Sequence, residues 1–190
     1  MVKSNYKKVP KTMLIEMAQK NNYEALEELI RRIQKDIYAI FSHICHKREV
    51  VSDLTQEALV KIAKNIEKLN DVKCFKTWSN RIALNIFYDY TRKDSKKTDN
   101  VSLDEMENVE IEDTSIKPME KCMASELGCI IKNSILSFPM NSRIMLVLRE
   151  FEGMSYCDIA NLTHTNVGTV KSRISRARVK LQEDLGQYID

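Results

Sequence analysis

Apolar residues along this chain recur mostly at steps of three and four, the spacing that collects them on one face of an α-helix. Leu26, Leu29, Ile30, Ile33, Ile37, Ile40, Phe41 and Ile44 predict a long first helix. Ser52, a good N-cap residue, is expected to open a second helix that runs to about Ile66. Its apolar residues Leu54, Ala58, Ile62 and Ile66 stack on one side, which leaves Asp53, Gln56, Glu57 and Lys64 on the other, available to a partner. A short polar stretch, Glu67 to Lys73, precedes a third helix around Phe75 to Lys93, which carries Trp78, Ile82, Ile86, Phe87, Tyr88 and Tyr90.

The periodicity then stops. From Ser95 to about Pro118 the chain is polar and acidic, and it reads as a linker with little structure of its own. Beyond it, Leu127, Ile130, Ile131 and Ile135 predict a helix that Phe138-Pro139 ends, because the residue before proline is pushed out of the α region. Another helix is expected over about Asn141 to Phe151. Gly153 breaks it, Ser155 can cap a short helix through Leu162, and the turn Thr163-His164-Thr165-Asn166 leads into a last helix ending near Leu185. That spacing is a helix-turn-helix.

Composition sharpens this into a fold class. With 4 glycines and 3 prolines in 190 residues, 43% hydrophobic and 30% charged, the chain is expected to be all-α: two small helical domains joined by a flexible acidic linker, the second containing the helix-turn-helix. No apolar run approaches a bilayer-spanning length, and Met1 to Asn5 lacks the apolar core of a signal peptide, so a cytoplasmic protein without direct membrane insertion is expected. The 5 cysteines, irregularly spaced, read as free thiols rather than a disulfide framework.

A net charge of +3 is too small to argue nucleic-acid binding, but its distribution is uneven. Asp104, Glu105, Glu107, Glu110, Glu112 and Asp113 fall between Asn100 and Ile116 with no basic residue among them. Lys171, Arg173, Arg176, Arg178 and Lys180 fall between Ala160 and Gln182 with no acidic one. In that last helix Val167, Val170, Ile174, Ala177 and Leu181 form the buried stripe. The remaining surface shows Gly168, Thr169, Lys171, Ser172, Arg173, Ser175, Arg176 and Arg178, hydroxyls and long cations of the kind that reach base edges and phosphates from the major groove. A basic amphipathic helix alone would equally suit solvent or a membrane surface; the short helix and turn before it favour DNA.

These residues carry a resemblance. The run Leu148 to Tyr156, followed by Asp158-Ile159-Ala160 and by Val167 to Arg178, resembles the C-terminal region of extracytoplasmic-function (ECF) sigma factors of the sigma-70 family. Asp53-Leu54-Thr55-Gln56-Glu57-Ala58 resembles that family's polymerase-binding helix, and Phe75-Lys76-Thr77-Trp78 with Arg81-Ile82-Ala83-Leu84-Asn85 resembles its promoter-melting helix.

The resemblance implies a sigma region 2 over residues 1–95, an acidic linker over 96–120 and a sigma region 4 over 121–190. It implies that the chain directs core RNA polymerase to promoter DNA and assists melting. Asp53, Gln56 and Glu57 would dock on the clamp coiled coil of the largest polymerase subunit. The stretch Ile66 to Phe75 would hold a base flipped from the non-template strand, a step that costs a few kcal/mol and is repaid by stacking and hydrogen bonds. Asn85 and Asp89 would help line that pocket. Arg81, Arg92, Lys93, Lys96 and Lys97 suit backbone phosphates. Trp78 could stack on DNA, but its amphipathic position favours a core role. In the second domain the resemblance assigns Arg149, Asn166, Lys171, Ser172, Ser175 and Arg176 to the minus-thirty-five element; Asn166 can also cap the helix. The family often has proline at Asn166 and an acidic residue at Cys157, and these departures leave the promoter sequence open. The acidic linker is either an RNA-mimicking segment near the RNA exit path or a solvated spacer. An anti-sigma factor is an expected further partner.

Two other readings compete. A stand-alone regulator would account for the helix-turn-helix but not for the first domain. A metal or redox sensor would use His43, Cys45 and His46, with Cys122 and Cys129, but consecutive ligands on one helix fit tetrahedral chelation poorly. No Gly-rich phosphate loop, His-Glu-x-x-His or paired nucleophile and base supports an enzyme, and no cofactor or metal is expected.

Overall fold

In the computed structural model, which describes residues 6–97, 123–186 and 188, all regular structure is helical. The chain divides into two compact units, Met1–Phe41 with Lys47–Lys93 and Ser42–His46 with Asp94–Asp190. The predicted linker lies, from residue 98 onward, outside the described residues, as does Cys122, and the side chains of Lys96 and Lys97 are likewise outside them.

The first unit holds α1 (Lys11–Gln19), α3 (Arg48–Asn65) and all but the last turns of α2 (Tyr23–Ile44) and α4 (Phe75–Lys97). Helix α1 has no counterpart in the periodicity reading. It buries Leu14, Ile15 and Ala18, and its end is shaped by Asn21 in the left-handed conformation (φ 62°), with the amide of Asn22 donating to the carbonyl of Met17 at 3.1 Å. Asn22 then caps α2 by accepting the amide of Ala25 at 2.9 Å. The apolar stripe of α2 is buried as its spacing implies: Leu29, Ile33, Ile37, Ile40 and Phe41 are each at most 2% exposed.

Helix α3 begins at Arg48, four residues before the expected start at Ser52. Lys47 makes no side-chain cap, and Ser52 is an exposed residue inside the helix. Burial of Val51 in the added turn outweighs the capping preference of serine, since tertiary packing rather than propensity supplies most helix stability. Between α3 and α4 the chain makes two 3-10 turns, Ile66–Lys68 and Val72–Cys74, the second opened by Asp71, whose carboxylate accepts the amide of Lys73 at 2.8 Å. The hydroxyls of Thr55, Ser79 and Thr91 are satisfied by carbonyls one turn back in their own helices, so their burial leaves nothing unpaired.

The second unit holds α5 (Met123–Leu136), α6 (Met140–Glu150), α7 (Tyr156–Thr163) and α8 (Val167–Gly186). Helix α8 packs on α5, α6 and α7, and Val170, Ile174 and Ala177 are its buried residues. Leu181 and Val167, expected in the same stripe, are half-buried. Ser134 hydrogen-bonds to Asp184, tying α5 to α8. Gly153 sits at φ 63°, where a side chain would be strained, and lets the chain leave α6. The Ser155 hydroxyl accepts the Asp158 amide at 3.1 Å and opens α7. His164 takes a left-handed conformation at its end (φ 54°), and the chain turns into α8.

Candidate nucleic-acid and polymerase interfaces

In the first unit, Asp53, Gln56, Glu57 and Lys64 all lie exposed on the face of α3 opposite its buried Leu54, Ala58 and Ile62. Glu57 pairs with Lys61 at 3.0 Å one turn on; both ends are open to water, so the pair adds little stability and leaves the carboxylate accessible. Val60 stands on the same face, 50% exposed, an apolar residue among polar ones that the sequence reading passed over.

On α4, Arg81, Asn85 and Asp89 recur every four residues along an exposed stripe that continues to Arg92 and Lys93. Arg92 lies 3.7 Å from Asp89 with both groups largely in solvent. A cavity of about 380 Å³ opens beside this stripe, lined by Lys61, Asn65, Lys68, Trp78, Ile82, Asn85 and Asp89. It is walled by the end of α3, the first 3-10 turn and one face of α4. Trp78 is half-buried and forms part of this wall, with its ring 5.9 Å from that of Phe75, so it is not the enclosed core tryptophan its position suggested. Arg81 shares the stripe without lining the cavity. Lys61, Asn65 and Lys68 were not singled out from sequence, although their spacing of four and three after Glu57 aligns them along α3 and its exit.

The second unit presents a basic face. Asn166 accepts the amide of Thr169 at 2.7 Å and caps α8, Gly168, Lys171, Ser172, Ser175 and Arg176 are exposed, and Thr169 and Arg173 are half-buried. Ser172 hydrogen-bonds to the Thr169 carbonyl, and Arg176 reaches the Ser172 carbonyl at 3.3 Å, which holds its guanidinium along the helix. Arg149 is fixed from α6: it donates to the Met154 carbonyl at 2.6 Å and lies 4.6 Å from the centroid of the Tyr156 ring. Lys171 approaches the same ring at 5.9 Å. Tyr156, quoted in sequence only as part of a run, is thus the element that gathers two of the predicted cations. Arg178 pairs with Glu150 at 2.6 Å and also meets Tyr156, and these contacts, the one to Glu150 foremost, raise its pKa above the ordinary guanidinium value.

Family models for Sigma-70 region 2 and Sigma-70 region 4 match residues 29–97 and 136–181. The ECF RNA polymerase sigma-E factor of Escherichia coli K12 is 32% identical over 172 residues, covering 87% of this chain and 89% of that protein. This chain belongs to the ECF sigma factors.

Other proteins match over similar lengths. The RNA polymerase sigma-H factor of Pseudomonas aeruginosa is 30% identical over 178 residues, 90% of this chain and 92% of its own. The structure of the sigma factor RpoE in complex with the anti-sigma factor NepR from Bartonella quintana superposes with a TM-score of 0.68 at 26% identity, over 84% of this chain and 96% of that one. CnrH, solved with the cytosolic domain of CnrY, shares the fold at a TM-score of 0.63 and 21% identity, over 94% of this chain and 98% of that one.

The protein is an ECF RNA polymerase sigma factor for transcription initiation, a polymerase subunit rather than an enzyme. The region 2 match takes in α3, α4 and the cavity, and the region 4 match takes in α6, α7 and α8 as far as Leu181; α1 lies outside both. Among the described residues no group of three or more His, Cys, Asp or Glu side chains comes together as a metal site, and no helix is long and apolar enough to cross a membrane.

Proposed function

We propose a division of labour between the two units of this sigma factor. In the first, residues 1–95, Asp53, Gln56 and Glu57 dock α3 on the polymerase clamp, with Val60 supplying apolar contact in the same patch. The cavity beside α4 receives one unstacked base of the non-template strand: Asn85 and Asp89 hydrogen-bond its edge, Trp78 offers a ring face, and Arg81, Arg92 and Lys93 follow the backbone phosphates. In the second, residues 121–190, the α8 face and Arg149 read the minus-thirty-five element, with Asn166, Gly168 and Thr169 at the helix N-terminus near phosphate and Lys171, Ser172, Arg173, Ser175 and Arg176 along bases and backbone. The acidic linker, 96–120, tethers the two.

The observation that carries this reading is the cavity itself, which joins a ring face, amide and carboxylate groups and two lysines at one opening next to a cationic stripe. Grounds for an anti-sigma partner come from relatives: RpoE of Bartonella quintana was solved bound to an anti-sigma factor. Such a partner would cover the α3 and α8 faces in a cytoplasmic protein. The test is reconstitution of the full chain with bacterial core polymerase, followed by gel filtration and transcription from a fragmented genomic library. Co-elution and promoter-selective transcripts support the reading. Sequence-specific DNA binding without association with core polymerase would leave a stand-alone regulator in its place.

A further inference from the structure

The cavity beside α4 depends on a loop that has little regular structure of its own. Ile66 to Cys74 is held by two single 3-10 turns, and it contributes Lys68 to the cavity wall. What fixes its path comes from α1, some fifty residues earlier in the chain. The side-chain amide of Gln19, the last residue of α1, donates to two carbonyls at once: Ile66 at 3.2 Å and Leu69 at 2.6 Å. These carbonyls bracket the first 3-10 turn, and the Leu69 amide also donates to Ile66 at 3.2 Å. At the far end of the loop, Lys11 from the first turn of α1 sits 5.4 Å from the centroid of the Phe75 ring, where α4 begins. Helix α1 therefore spans the loop from end to end.

Gln19 is well suited to hold a shape. Its helix end is locked by the left-handed Asn21 and by the Asn22 amide bonding back to Met17. A primary amide has two N–H donors in fixed relation, so satisfying both carbonyls sets the curvature of the turn between them. Gln19 is half-buried and does not line the cavity. Its influence on a bound base can only pass through the loop.

We propose that Gln19 is a positioning residue for base selectivity in the first unit: by tying the carbonyls of Ile66 and Leu69 to α1, it sets the wall against which the unstacked base is judged. This rests on the reading of the cavity as a base pocket. Without the tie, the loop can relax and Lys68 is no longer held at one distance from Asn85, so bases of different size and edge pattern are accepted more equally. Phosphate contacts along α4 do not depend on it.

The test uses holoenzyme formed from the full chain and bacterial core polymerase, challenged with a pool of single-stranded DNA carrying a randomised central tract. Recovered strands are sequenced for wild type, Gln19→Met, Gln19→Lys and Asn85→Ala. Methionine keeps the length of the side chain and removes both donors, whereas lysine keeps donors for the two carbonyls. The expected result is that Gln19→Met lowers the preference for the favoured base by about 3- to 10-fold at a single position, as for the loss of one or two hydrogen bonds. That position is the one Asn85→Ala also flattens; preferences elsewhere stay, and Gln19→Lys retains more of the preference than Gln19→Met. A pattern for Gln19→Met identical to wild type, or an equal loss at every position, overturns the proposal while Asn85→Ala still reports the pocket. If Asn85→Ala leaves the pattern unchanged, the base-pocket reading falls, and the role given to Gln19 falls with it.

Discussion

The guanidinium of Arg149 lies over the ring of Tyr156, 4.6 Å from its centroid, and so a residue of α6 and a residue at the start of α7 meet beside α8. Lys171 reaches the same ring from α8. Replacing Tyr156 by Leu removes the π face that holds both cations. Affinity of the protein for its minus-thirty-five DNA is expected to fall about 2- to 5-fold, the scale of an exposed cation–π contact. Tyr156→Phe keeps the face and is expected to bind like wild type in the same fluorescence anisotropy titration.

Asn166 closes α8 at its N-terminus through the Thr169 amide, and the proposed function sets it near phosphate as well. Asn166→Ala is expected to cost about 0.5–2 kcal/mol of stability in denaturant unfolding. Asn166→Asp keeps a capping oxygen and places a negative charge at the favourable end of the helix dipole, so its stability is expected to hold while its DNA affinity drops by repulsion. Opposite rankings of the two variants in the two assays separate the cap from the contact.

The proposed division of labour gives Arg176 one task and the Gln56 and Glu57 pair of α3 another. Arg176→Ala is expected to weaken binding to the minus-thirty-five element by about 5- to 150-fold, as for loss of a good base contact. Its affinity for core polymerase is expected to be unchanged. Joint replacement of Gln56 and Glu57 by Ala is expected to do the reverse. Equal effects of both changes in both assays would contradict the separation of tasks.

The carboxylate of Glu28 is gripped by Arg31 at 2.7 Å and Arg32 at 2.7 Å, and these hydrogen bonds lower its pKa from the ordinary 4.5 to about 2. A carboxyl whose pKa is lower in the folded state stabilises above its ordinary pKa, and that contribution fades as pH falls toward the folded value. Acid unfolding of Glu28→Gln, followed by circular dichroism, is therefore expected to show a flatter loss of stability between about pH 4.5 and about pH 2 than wild type. Parallel curves for the two proteins would show that the grip contributes no pH dependence.

Much of this architecture could be read from spacing, because long helices with one buried face declare themselves. The stripe of α2 and the alternation of Val170, Ile174 and Ala177 in α8 are cases in point. Short elements were less legible. Helix α1 has nine residues, and its core consists of Leu14, Ile15 and Ala18, too few to set up a sustained period. Ser52 offers a cap that the fold does not use, so the local signal sets the start of α3 too late. The place of Trp78 on an amphipathic helix favours a core role over stacking, whereas its ring is half-buried and lines the cavity. The candidate residues on α3, α4 and α8 were found from runs of sequence, but the contributions of Tyr156 and Gln19 arise between residues distant in the chain or across a turn, and no local pattern reports them.

The hold of Arg32 on the segment ahead of α1 carries a consequence for the order in which the protein comes apart. Its guanidinium donates to the carbonyls of Tyr6, Lys7 and Val9 at 2.7, 2.9 and 2.7 Å, while none of Tyr6, Lys7 and Lys8 is buried. The segment is thus fastened by hydrogen bonds rather than by apolar burial, and it can lift away without exposing the core. Because Arg32 is itself steadied by Glu28, whose carboxyl holds its charge down to about pH 2, only acid near that value loosens the hold of Arg32 on the segment. A protease added under those conditions would trim the chain at Tyr6 to Val9 and leave a shortened, still folded first unit behind.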